Sequence, residues 1–196
     1  MNATRTDDLS GPGRGSAVQR YSLTMRILHW VRAVLIIGLL AVGIAMTNSE
    51  DGSVLGFDGY HYHKEFGILV LLLALVHLVV RARSNIPDLP PGLAQWEVVM
   101  AKVVKRAIMV LVIVVPVMGY SMSSSFTQSD GVPFFFFGEL PEVLPKNDKA
   151  FEVFDWLHMV LAYALLGLVV LHILGALKHR FLDKGKEDVD VLSRML

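Results

Sequence analysis

The stretch Trp156–Arg180, WLHMVLAYALLGLVVLHILGALKHR, decides how this chain is read. From Trp156 to Leu177 it contains no Asp, Glu, Lys or Arg, and as a helix it is long enough to cross a hydrocarbon core of about 30 Å. It nevertheless carries His158 and His172. At about 100° and 1.5 Å per residue, their spacing puts the two imidazoles within roughly 40° of one face and about 21 Å apart along the axis. An ionisable side chain at membrane depth is costly and faces a cavity or a partner. Two of them stacked on one face point to two stacked cofactors.

The same spacing occurs once more. A second apolar run, from about His63 to Val80, opens on His63 and carries His77 near its end. A third, Ile27–Thr47, has His29 in its first turn between Arg26 and Arg32. The remaining run, Ala107–Met122, has no histidine. It is short for a span, so Val103 and Val104 join it while Lys105 and Arg106 snorkel to the interface, and Pro116 is positioned to kink it. The expected fold is therefore all-α, a transmembrane four-helix bundle with the cofactors between the helices. Residues 1–20 form a flexible cytoplasmic tail, 21–182 the four-helix domain and 183–196 a second cytoplasmic tail.

Composition agrees. Of 196 residues 54% are apolar, and the mean hydropathy is +0.52, which suits a membrane protein of one domain. The net charge is zero, and the basic residues sit at helix ends without the aromatic or glycine-rich setting of a nucleic-acid binder. The absence of cysteine excludes disulfides, thiolate-ligated zinc, cysteine-held iron-sulfur clusters and thioether-linked haem. The first apolar run starts only after Arg26, too late for a cleaved signal peptide, so it is read as a retained helix.

Of the 18 Lys and Arg residues, 15 fall in the N-terminal segment, the second-to-third connection and the C-terminal segment. Lys64, Lys146 and Lys149 are left on the other side. The positive-inside rule then places both termini in the cytoplasm, with lipid all round the helices. That orientation sorts the histidines by depth. His63 and His158 lie at the outer level, and His29, His77 and His172 at the inner one. His61 falls in the connection Asn48–Tyr62 and reads as solvated.

Two imidazoles from different helices at one level suit a six-coordinate b-type haem, whose iron takes its two axial ligands from the protein. Such a haem has no open position and favours electron transfer over oxygen binding. Ligation uses neutral imidazole, which also avoids burying a charge. A lone intramembrane histidine can equally be a hydrogen-bonded core residue or part of a proton path; it is the arrangement at two depths on three helices that favours haem. Zinc fits less well, because the outer level offers only two histidines. Spacing leaves the inner level open: His29 and His172 can ligate with His77 beside them, or His77 can replace either one. His179 lies within about 20° of the His172 face and about 10 Å nearer the cytoplasm, within reach of a quinone head group or a haem propionate, or simply exposed at the interface. Arg81 and Arg83 either pair with propionates or only set topology. Gly38, Gly43 and Gly67 give a flat macrocycle room or serve helix packing. Four consecutive aromatics, Phe134–Phe137, in the longest connection either anchor it at the interface or cap something apolar.

These residues resemble the bacterial cytochrome b561 family of four-helix, di-haem membrane proteins. The likeness runs through His29-Trp30, His63-x-x-x-Gly67, FFG-x-x-P at Phe136–Pro141, His158 with His172, ALKH at Ala176–His179, and the terminal Arg194-Met195-Leu196. The resemblance implies two haem b groups, with His29 and His172 on the inner iron and His63 and His158 on the outer. It also implies ubiquinone or another quinone near His179, with electrons supplied by a periplasmic donor. Some members of the family are superoxide oxidases that pass electrons from superoxide to ubiquinone; others are electron carriers, and a haem-bearing anchor serving a partner dehydrogenase or periplasmic protein is the alternative role. The chain departs from the family pattern at His77, where an arginine would be expected.

Overall fold

The computed structural model describes residues 20–87, 92–183 and 190–196; the expected N-terminal tail lies almost wholly outside them. Four helices follow in order: α1 Leu23–Thr47, α2 Gly59–Arg83, α3 Gln95–Ser125 and α4 Asp148–Phe181. Each is longer than its apolar run, because polar residues outside the run supply the ends. Asp58 accepts the His61 N–H at 3.0 Å and starts α2. Asn147 does the same for α4 through the N–H groups of Lys149 and Ala150. These side chains satisfy donors that a helix leaves unpaired in its first turn. His61 is consequently the first-turn residue of α2 rather than a loop residue, with Nε2 3.6 Å from Glu65.

By length and composition α1, α2 and α4 can each cross a membrane. Only 11%, 28% and 6% of their most apolar windows is buried within the protein, so most of this apolar surface faces outward, where a bilayer would cover it. The inward face forms one continuous core from Ile36, Val70, Ala74, Val112, Val115 and Leu165, contributed by all four helices. Sequence neighbours pack together, α1 on α2, α2 on α3 and α3 on α4, as short connections favour.

The two connections at one end are folded back as hairpins. β1 Ser53–Val54 pairs with β2 Phe57–Asp58, turning through Leu55 and Gly56, both at positive φ, the backbone a two-residue hairpin requires. β3 Val132–Pro133 pairs with β4 Glu139–Leu140 around a short 3₁₀ turn, Phe135–Phe137. Here the phenylalanine run splits. The Phe135 N–H donates to the buried Glu65 carboxylate at 2.9 Å, and its ring meets Phe66 edge-on, whereas Phe136 and Phe137 project outward. Lys64 completes the tether through Asp130 at 2.5 Å and the Gly131 carbonyl at 3.1 Å. At the opposite end the last residues return to α1: Tyr21 N–H donates to the Arg194 carbonyl at 3.1 Å and Trp30 Nε1–H to the Met195 carbonyl at 2.8 Å. Arg180 binds Asp190 and holds the returning segment to α4.

Candidate functional site

The helices bring the histidines together in two pairs. At the end bearing the hairpins, the His63 ring of α2 lies opposite His158 of α4, with centroids 6.1 Å apart and planes at 80°. At the end bearing the termini, His29 of α1 lies opposite His172 of α4, at 6.3 Å and 63°. All four rings are half-buried. At the level that spacing left open, it is His29 whose ring faces His172. His77 lies beside that pair, 5% exposed, with its Nδ1 buried and lacking a hydrogen-bond partner.

Glycines shape the pocket of the first pair. A Cβ on Gly119 of α3 would sit 2.9 Å from His158 Cε1 and 3.0 Å from its Nδ1. Without it the imidazole approaches the α3 backbone, and Nδ1 bonds the Val115 carbonyl, one turn earlier, at 2.9 Å. Since a carbonyl can only accept, Nδ1 carries the proton and Nε2 keeps a free lone pair. Gly43 of α1 does a similar service for His63, whose Cε1 would lie 3.3 Å from an added Cβ. Gly38 and Gly67 face open space.

Beyond His172, His179 Nδ1–H donates to Asp183 at 2.8 Å. Lys178 reaches both Glu97 of α3 and Asp183. Asp183 is held below the usual carboxylate range, first by the His179 hydrogen bond and then by that of Lys178. Ligand atoms of Glu97, His179 and Asp183 lie within 4.8 Å of one another, but Lys178 already supplies the cation that such a grouping attracts. Arg81 is exposed in the last turn of α2, within electrostatic range of His77.

Residues 20–196 match the prokaryotic cytochrome b561 family. The chain belongs to that family. It is also 28% identical over 185 residues to cytochrome b561 homolog 2 of Escherichia coli (strain K12), an alignment that covers 91% of this chain and 92% of the relative. This protein is accordingly a membrane electron-transfer cytochrome, and cytochrome b561 membership implies b-type haem.

The residues present fit that group. Each pair sets two half-buried imidazoles from different helices opposite one another, 6.1 and 6.3 Å apart, and imidazole nitrogen is a haem-iron ligand. His63 Nδ1 is buried and unpartnered. His158 has its ring fixed by a backbone carbonyl, the kind of contact that sets tautomer and orientation in a metal ligand.

Sequence reasoning missed Gly119, the Val115 carbonyl and Asp183. The first two lie on the histidine-free α3, where nothing in the sequence marks them apart from the nearby Pro116. Asp183 was within reach of helical arithmetic, being four residues after His179.

Proposed function

We propose that this cytochrome b561 carries two haem b groups, one held by His63 and His158 and the other by His29 and His172. It would move electrons between a donor at the hairpin end and quinone at the end bearing the termini. All four helices cross the inner membrane, and the termini are cytoplasmic. The carrying observation is the recurrence of a 6.1–6.3 Å imidazole pair at both ends of one bundle. Bound there, haem supplies reversible one-electron exchange at an iron with no vacant position. The chain's own part is to fix four neutral imidazoles, exclude water with the apolar core between the levels, and position the quinone. His179 suits the quinone role, because Nδ1–H donates to Asp183 and leaves the Nε2 lone pair to accept from a quinol hydroxyl, while the exposed side of the network opens to the water that exchanges protons. The pyridine haemochrome of the purified protein tests the reading. Two haems per chain are expected; none would overturn it, and one would leave only a single-haem carrier.

The donor is open to argument from charge. The hairpin end carries Glu50, Asp51, Asp58, Glu65, Asp130, Glu139, Glu142, Asp148, Glu152 and Asp155 against Lys64, Lys146 and Lys149, a net charge of −7. Lys64 and Lys146 are already paired with Asp130 and Glu142. A negative face slows the approach of an anion such as superoxide and speeds that of a cationic protein. This favours the second reading, a relay for a basic periplasmic partner, over superoxide oxidation. Salt separates them: reduction by pulsed superoxide should accelerate as ionic strength rises, and reduction by a basic redox protein should slow.

A further inference from the structure

Three cations surround the imidazoles at the end bearing the termini, with no anion among them in the described residues. Arg32, three residues after His29 on α1, is 7% exposed, and its Nε is buried without a hydrogen-bond partner. It lies within electrostatic range of both His29 and His77. Arg81 of α2 and Lys105 of α3 are exposed, Lys105 within electrostatic range of His172 and Arg81 within that of His77. Neither Arg32, Arg81 nor Lys105 enters an ion pair among the described residues. The described carboxylates of this end are already engaged: Glu97 with Lys178, Asp183 with Lys178 and His179, Asp190 with Arg180.

Setting topology accounts for basic residues that stay in water, but it does not require burying one. A guanidinium does not lose its proton in a protein, so a buried one needs a hydrogen-bonded counter-charge. We propose that Arg32 anchors a binding subsite for the carboxylate substituents of the haem held by His29 and His172, with Arg81 and Lys105 at its rim. The inference rests on the haem assignment given above. Protohaem brings two carboxylates, and a planar guanidinium binds a carboxylate through two parallel N–H groups. His77, with Nδ1 unpartnered beside Arg32, is placed to add a neutral donor to the same carboxylate. A cation here neutralises negative charge next to the iron and so favours its reduced form.

Spectroelectrochemical titration of the purified holoprotein tests this. Arg32→Gln should make reduction of one haem at least tenfold less favourable, about 59 mV for a one-electron couple. The other haem, about 21 Å away along the bundle, should keep its midpoint, and Arg32→Lys should restore most of the shift. A purely structural arginine would not move one midpoint selectively or be rescued by lysine. Should Arg32→Gln fail to retain both haems, resonance Raman of the unmutated and Arg32→Lys proteins decides, since a propionate bound by a guanidinium must change its bending band when lysine replaces it. An unshifted band, or unmoved midpoints with two haems bound, overturns the subsite alone. Fewer than two haems in the unmutated protein overturns the assignment beneath it.

Discussion

Placing alanine at Gly119 would put a methyl carbon 2.9 Å from His158 Cε1 and 3.0 Å from Nδ1, where carbon contacts relax to about 3.5–4.0 Å. The ring must then retreat by roughly 0.7 Å, which stretches the 2.9 Å bond to the Val115 carbonyl beyond the range in which it counts as a hydrogen bond. Losing it costs about 0.5–1.5 kcal/mol, and overpacking a tight interior costs about 1–3 kcal/mol. Against this stands a gain of about 0.8–1.0 kcal/mol from replacing glycine inside a helix. The balance, about 0.5–3.7 kcal/mol against the ligating orientation of His158, weakens haem retention at that level by roughly 2- to 500-fold. Haem content per chain, with redox titration to identify the surviving haem, is the assay. Gly167→Ala is the control: it lies on α4 about 180° from His158, is exposed and meets nothing within 4 Å, so it should keep both haems. If Gly119→Ala keeps two haems with unchanged midpoints, the close approach of α3 to His158 has no role in ligation.

Alanine at His63 or His158 should remove the haem of the hairpin end alone and alanine at His172 the other, whereas His77→Gln should keep both; an unchanged haem count in all four variants would refute the assignment. His179→Ala should retain both haems but slow reduction by quinol, read by stopped-flow at the α band, and equal rates would remove His179 from the quinone site. The Asp183 carboxyl is depressed in the folded state relative to about 3.9 when unfolded, so its contribution to stability is complete above about pH 4 and disappears as pH falls through its folded value. Melting curves should thus show no Asp183 contribution to pH dependence between pH 8 and 5, and Asp183→Asn should flatten part of the acid limb; an identical acid limb would refute the pairing. Trp30→Phe deletes the bond to the Met195 carbonyl, worth about 0.5–1.5 kcal/mol, and should speed amide hydrogen exchange in the segment 192–196, with equal exchange counting against its docking on α1.

Much of this architecture is legible in the sequence. Charge-free runs locate the helices, and the repeated interval from His63 to His77 and from His158 to His172 sorts the rings into two levels, because helical rise and twist act within one segment and depend on nothing else. The capping residues Asp58 and Asn147 stand in the sequence too, but boundaries drawn from apolar runs alone leave them out and put His61 in a loop. What sequence cannot supply is the rotation of one helix relative to another. That is set by how the side chains around Ile36, Val70, Val112 and Leu165 interlock, and it alone turns His29 rather than His77 towards His172. The same packing brings Gly119 against His158, buries Arg32, and carries Met195 back to Trp30 across 165 residues of chain. Periodicity is a property of a single helix; pairing belongs to the bundle, and only the tertiary structure decides it.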